Sequence, residues 1–384
     1  MTPTLGRLDR GFSRAWTVAL MLAACGTQPT PSAATDGSTG GGSTPAESSD
    51  STPALDIGAD PDDGSSGMMP PTPCPASGFY VEDGRLHDSN CNEFILRGIN
   101  YPYAWFSWRD DTAEQFAHIA ATGANAVRVV LTNGVQWDRV TGEALTQVIG
   151  WARDSALVAV LEIHDATGWP EQGGAADPET AVDYWLSPDV RAAIDGNEAF
   201  VIINIANEPL GNTATGQWAP FHSAAVGQLR AAGLTHTLMV DGPNWGQDWS
   251  GTMRSGVDAQ EIFDADPNAN VVFSVHMYDV YGTDRSVQDY LGDFVSTGLP
   301  LVVGEFAADH GPDAPVAAQA VLSTCEAMGV GYLGWSWSGN SAPLTSLDIT
   351  IDFDGDTLTP WGELLVNGPD GLSATGQPCS CYDR

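Results

Sequence analysis

The sequence predicts an α/β protein folded as a closed (β/α)8 barrel, the TIM-barrel architecture, with a small β-hairpin at its N-terminal edge. Three observations carry this. Short β-branched apolar runs recur eight times, ending near Asn100, Leu131, His164, Glu208, Asp241, Tyr278, Glu305 and Trp335. Their ends are about 27 to 44 residues apart, the scale of one βα unit. Helical patterns alternate with the runs. Most runs close on polar or aromatic residues, as interior strands of a parallel barrel do where they open on its mouth. A doubly wound open sheet is the competing architecture; about 290 residues of patterned sequence and functional side chains at many strand ends favour the barrel.

The elements follow in order. Arg7, Arg10 and Arg14 precede the apolar stretch Ala15 to Leu22, which leads into Leu22-Ala23-Ala24-Cys25-Gly26. Basic, apolar and then small residues mark a targeting segment. The apolar stretch is too short to span a bilayer. Residues 1–25 are similar to a bacterial lipoprotein signal, in which Cys25 becomes the lipidated residue. The chain is therefore expected to be exported and lipid-anchored to the cell envelope or cell surface, with simple secretion as the alternative. Residues 26–77 are rich in Ser, Gly, Pro, Thr and Asp, a composition that buries too little apolar surface to fold. Such a linker has an r.m.s. span of roughly 35–40 Å.

Residues 78–372 form the expected barrel domain. Phe79 to Val81 and Arg85 to His87 flank Glu82-Asp83-Gly84 as a hairpin that would floor the barrel. Asp111 and Glu114 have capping-box spacing ahead of Phe116, Ile119 and Ala120. Ser187-Pro188 places a cap and a first-turn proline before Val190 and Ile194. Ser286 opens a helical pattern of Val287, Tyr290, Leu291, Phe294 and Val295. Residues 373–384 are a short tail. In an oxidising compartment Cys74 pairs with Cys91, and Cys325 pairs with Cys379 or Cys381 to tie that tail to the last helices.

Composition removes several function classes. All 14 basic residues are arginine, which excludes lysine Schiff-base chemistry and phosphate-loop lysines. A formal charge of −35 repels nucleic acid and leaves neutral polymers as suitable partners. No cysteine or histidine pair has zinc spacing, so no metal and no cofactor is expected. Asp352, Asp354 and Asp356 with Glu363 imitate a calcium loop poorly, because Thr357 occupies the place that needs the sharp turn.

The sharpest signal is a pair of glutamates. Glu208 closes the run from Val201 to Pro209, and Glu305 closes the run from Leu299 to Phe306. A carboxylate on a buried strand end is costly without a task, and two facing one cleft are the equipment of glycoside hydrolysis. Asn207 stands beside Glu208; Arg128, His164, His276, Tyr278 and Trp335 stand at other strand ends, and all would converge on the same mouth.

These residues resemble glycoside hydrolase family 5, a family of retaining TIM-barrel enzymes, over nearly the whole region from Gly78 to Leu372. Asn207-Glu208-Pro209 resembles the family's acid/base strand end, and Glu305 in Val-Gly-Glu-Phe306 its nucleophile, with Arg128, His164, His276-Met-Tyr278 and Trp335 in register. Ala104-Trp-Phe106, Ala181-Val-Asp-Tyr-Trp185, Asn244-Trp-Gly-Gln247 and Gly334-Trp-Ser-Trp337 are closest in wording to bacterial β-1,4-mannanases. One departure is Tyr101-Pro-Tyr103, where such mannanases often carry histidines.

The resemblance implies that Glu305 attacks the sugar while Arg128 and Tyr278 favour its charged form, and that Glu208 cycles between acid and base. It also implies that Asn207 bonds the sugar 2-hydroxyl, that His164 and His276 orient hydroxyls and carboxylates, and that Trp335 is a sugar platform. Trp105 and Trp245, and more weakly Trp137, Trp169, Trp249 and Trp337, are candidates for outlying contacts. The expected activity is endo-hydrolysis of mannan, glucomannan or galactomannan by a monomer, with polysaccharide as the partner. The alternatives are a β-1,4-glucanase using the same pair, and a carbohydrate-binding surface lipoprotein without chemistry.

Overall fold

The computed structural model describes Cys74 and residues 77–383; the leader, the lipidation candidate Cys25 and the linker up to Ala76 other than Cys74 lie outside the described residues. Strands β1 (Tyr80–Glu82) and β2 (Arg85–His87) form the expected antiparallel hairpin around Asp83 and Gly84. Eight strands follow: β3 (Arg97–Tyr101), β4 (Ala126–Leu131), β5 (Val158–Ile163), β6 (Val201–Asn204), β7 (Leu238–Asp241), β8 (Val271–Met277), β9 (Leu301–Phe306) and β10 (Gly331–Gly334). Each pairs in parallel with the next, and β10 closes onto β3. All eight runs read from the sequence are therefore barrel strands. A second hairpin, β11 (Thr350–Ile351) and β12 (Asp354–Leu358), precedes the helix Pro360–Asn367. It contains the acidic segment, where Asp354 accepts bonds from the Asp356 amide and the Thr357 hydroxyl.

Period-two alternation decides what the barrel holds. Ala126, Val160, Ile202, Met239, Val272 and Val302 pack inward as an apolar floor, sealed from below by Phe79, Leu86, Phe94 and Leu96. The next inward position on each of those strands is Arg128, Glu162, Asn204, Asp241, Ser274 and Gly304, all of them buried except that Gly304 offers only backbone. The interior thus changes from apolar to polar over one step along the axis, and the site stands on that polar layer.

One irregularity aims a key side chain. Val275 pairs with Val303, but His276 pairs with Glu305, so Gly304 is an extra residue in β9. Such a bulge re-aims the residue that follows it. It turns Glu305 into the mouth while Phe306 packs outward on Tyr332 and Trp361. The bulge is close-packed on β8: a Cβ at Gly304 would lie 2.2 Å from Ser274 Oγ and 3.1 Å from His276 Nε2, so Ser274 would have to turn aside. The bulge carbonyl accepts a bond of 3.0 Å from Asn100 Nδ2.

Local details differ from expectation in three places. Asp111 precedes the helix Thr112–Ala121 but makes no cap, because Arg109 engages its carboxylate in two bonds. The helix read from Ser286 begins at Asp284, with Thr283 as cap and Ser286 completing the capping box. Ser187 and Pro188 open the helix Pro188–Ile194 as read, although the serine hydroxyl bonds Tyr184 O instead of capping.

The cysteines require a larger correction. Cys74 and Cys91 are bonded, but Cys379 is bonded to Cys381 and Cys325 is a free thiol. Cys325 faces the packed layer between strands and helices, whereas Cys379 belongs to the barrel floor, so the two lie in separate clusters. Polar bonds dock the tail instead: Ser380 Oγ to Asp88, Asn125 Nδ2 to Gln377 O at 2.8 Å and Tyr382 Oη to Leu157 O at 2.7 Å. No helix among the described residues is long and apolar enough to cross a membrane.

Candidate active site

Arg128 is the hub of the mouth. Its Nη1 donates to Glu305 Oε1 at 2.7 Å and Asn100 Oδ1 at 2.9 Å; Nη2 donates to Asn207 Oδ1 at 2.7 Å and Asp241 Oδ2 at 3.3 Å; Nε donates to Asn204 Oδ1 at 2.9 Å. Burial alone would lower its pKa, but the carboxylates of Glu162, Glu305 and Asp241 outweigh this and push it up. A fully buried guanidinium with every edge bonded fixes its partners in one geometry, which a lysine ammonium would not do.

Glu305 is held on both oxygens. Oε1 accepts from Arg128, and Oε2 accepts from Tyr278 Oη at 2.8 Å. Burial first, and then the charges of Glu305 and Glu208, push the Tyr278 phenol well above its ordinary value, so it remains a donor. One guanidinium and one phenol thus fix the Glu305 carboxyl from both sides.

Glu208 has a different environment. It lies just beyond β6 at φ +39°, a left-handed conformation held by its amide donating to Asp241 Oδ2 at 3.1 Å. Its Oε1 is 2.7 Å from His276 Nδ1. Burial pushes the Glu208 carboxyl up; the bond and charge of His276 act against this, and the charge of Glu305 adds to it. Burial would lower His276, but Glu305 and Asp241 hold it up at about 10, so the imidazole donates. The loop after β7 fixes the ring: His276 N bonds Gly246 O at 2.8 Å, and a Cβ on Gly246 would lie 2.6 Å from the imidazole Cγ.

One carboxylate oxygen of Glu208, one of Glu305 and a ring nitrogen of His276 all lie within 4.8 Å of one another. By distance alone such a trio could ligate a cation. Arg128 and Tyr278 already use both oxygens of Glu305, which opposes one there.

The remaining expected residues surround this network. Asn207 spans Arg128 and Thr167, donating to Thr167 Oγ1 at 2.9 Å. His164 lies nearly parallel to Trp335, with centroids 6.0 Å apart, and meets the face or edge of Trp105 at 4.9 Å. Trp335 is buried and Trp105 half-buried. Trp245 stands apart: its Nε1 donates to Glu171 and its ring covers Gly168. Trp337 is core, bonded to Gln115, while Trp249 is 52% exposed. Tyr101 and Tyr103 are also core residues, packed on Phe116 and Trp151, so the departure at these positions does not bring them to the mouth. Sequence reasoning missed the support beneath the pair: Asn100 and Asp241 were read only as strand ends, and Glu162 and Asn204 not at all. Period-two counting from each apolar strand residue would have found them.

A closed (β/α)8 barrel with two dissimilar carboxylates at the C-terminal ends of its strands is the architecture of a barrel glycosidase. The comparisons agree. The family model described as cellulase (glycosyl hydrolase family 5) matches residues 87–341. A mannan endo-1,4-beta-mannosidase of Cellvibrio japonicus is 47% identical over 317 residues, covering 82% of this chain and 72% of that protein. One of Streptomyces lividans is 45% identical over 307 residues, covering 80% and 78%. The solved mannohexaose complex of Thermomonospora fusca beta-mannanase superposes with a TM-score of 0.75 at 43% identity, covering 80% of this chain and all of that one. The chain belongs to glycosyl hydrolase family 5 and is a glycoside hydrolase.

Proposed function

We propose that the chain is a retaining endo-β-1,4-mannanase, with Glu305 as nucleophile and Glu208 as acid/base. The observation that carries this is the short separation of two carboxyls in opposite surroundings. Oxygens within 4.8 Å fit the spacing of about 5–5.5 Å used for double displacement, and leave no room for the interposed water of an inverting enzyme. Glu305, paired with Arg128, attacks the anomeric carbon as Glu208 protonates the departing oxygen. The ester formed on Glu305 has no charge, so Glu208, having given up its proton, can then draw one from water. In this reading Asn207 bonds the sugar 2-hydroxyl, and Trp335 with Trp105 offers apolar faces to the ring, as the family resemblance implies.

Preference for mannan over glucan is supported by the 45–47% identity to enzymes named mannan endo-1,4-beta-mannosidases. Reducing-sugar release from β-mannan and from carboxymethylcellulose tests it. Release from mannan is expected to dominate; activity on the cellulose derivative alone would overturn the assignment. Export with a lipid on Cys25 belongs to the same reading, supported by the order of basic, apolar and small residues in the leader. The mass of the mature N-terminus tests that part.

A further inference from the structure

Glu162 is completely buried on β5, two positions before His164, and the reaction scheme gives it no task. Its Oε1 lies 3.0 Å from His164 Nδ1 and 3.9 Å from Arg128 Nη1, while Oε2 has no hydrogen-bond partner. A carboxyl placed so deep is strongly destabilising unless it fixes something. What it touches is an imidazole whose plane is already set by Trp335 and Trp105. With Nδ1 turned down to Glu162, Nε2 is the nitrogen left for the mouth, as a carboxylate behind a histidine fixes the state of the exposed nitrogen.

We propose, on the glycosidase reading above, that Glu162 is a positioning residue that keeps His164 a two-sided donor, with Nδ1–H bonded to Glu162 and Nε2–H presented to a hydroxyl of the sugar seated against Glu208 and Glu305. The ionisable groups acting on the dyad are Arg128 from β4, Glu305 from β9 and Glu208 beyond β6. Burial pushes the Glu162 carboxyl up, while the charges of His164 and Arg128 and the bond to His164 act against this. Burial would lower the His164 pKa; the charge and hydrogen bond of Glu162 first, and then the charges of Glu305 and Glu208, reverse this and raise it. Without the Glu162 carboxylate the largest contact favouring the charged imidazole is lost, and a neutral His164 with its proton on Nδ1 would turn Nε2 from donor to acceptor.

The test uses the full chain labelled at histidine nitrogen, with the His164 signal identified by its loss in H164Q. In wild type His164 is expected to hold its proton to higher pH than an ordinary histidine. In E162Q it binds its proton at least about tenfold less tightly. E162D keeps the charge one methylene further away and gives an intermediate value, a readout that stands if E162Q does not fold. On β-mannan, E162Q lowers kcat/KM by about 10- to 100-fold in the wild-type background, and by less than about twofold when His164 is already glutamine. A His164 titration unchanged in E162Q, or unchanged in E162D where E162Q does not fold, overturns the proposal. So does a rate penalty that multiplies in the double variant. The titration needs no substrate, so failure of the mannanase reading would leave it readable.

Discussion

His276 Nδ1 lies 2.7 Å from Oε1 of Glu208, and the same nitrogen is 3.6 Å from Oε2 of Glu305. One buried imidazole therefore faces both carboxylates and bonds only the first. The asymmetry continues outward: Arg128 and Tyr278 hold Glu305, while Glu208 has His276 and burial. Environment, not residue type, gives two glutamates two tasks.

The pH profile follows from that contact. Glu208 must begin protonated, so kcat/KM falls as pH rises through its pKa, which burial lifts above the ordinary carboxylate value. His276 opposes that lift. In H276Q the charge is gone, and the alkaline limb is expected at higher pH than in wild type. A limb that moves to lower pH would show that His276 raises Glu208.

Removing either glutamate separates the two steps. E305A should lower kcat by roughly 10⁴-fold or more on every substrate. E208A should lose about 10²- to 10⁴-fold on mannan, where the leaving oxygen needs a proton. With an aryl glycoside whose leaving group needs none, E208A should still release a burst of phenol before slow turnover. Absence of that burst, with binding intact, would contradict the acid/base role.

R128K tests the hub. Lysine cannot reach Glu305, Asn207, Asn204 and Asn100 together, so both activity and fold should suffer. Leaving buried carboxylates short of a partner typically costs about 3–5 kcal/mol. Denaturant unfolding is expected to show a loss of that order, alongside reduced kcat.

Acid sensitivity of the fold should come partly from His222. It is buried, with Nδ1 bonded to Trp218 O, and burial pushes its pKa down to about 4. The unfolded chain, with an ordinary value near 6.5, binds more protons between about pH 4 and 6.5. Its contribution is thus present above that window and lost as pH falls through it, on the order of 3 kcal/mol in full. Asp248 acts in the opposite sense, since burial raises it to about 6 and its contribution is lost as pH rises through that value. H222N should unfold with a flatter pH dependence across the window; an unchanged slope would place the sensitivity elsewhere.

The strand rhythm made the barrel legible before any coordinates, because eight apolar runs at βα spacing admit few closed arrangements. Glu208 and Glu305 were legible as charges on apolar strands. The Gly304 bulge was not, since a register slip between β8 and β9 leaves no mark on the pattern of either strand. Nor was the unpaired state of Cys325, because spacing does not say which packed layer a thiol faces. The departure at Tyr101 left its orientation open in a related way. One position along β3 separates the inward Asn100 from the outward Tyr101, and period two turns that single step into opposite faces.

Double displacement requires Glu305 to form a covalent bond to the sugar while Glu208 protonates the leaving oxygen on the opposite side. Proton NMR of the anomeric signals during the first minutes of hydrolysis of a β-1,4-mannooligosaccharide reads this directly. The β-anomer is expected to appear first and then mutarotate. Initial release of the α-anomer would mean single displacement, and would contradict the assignment of Glu305 as nucleophile.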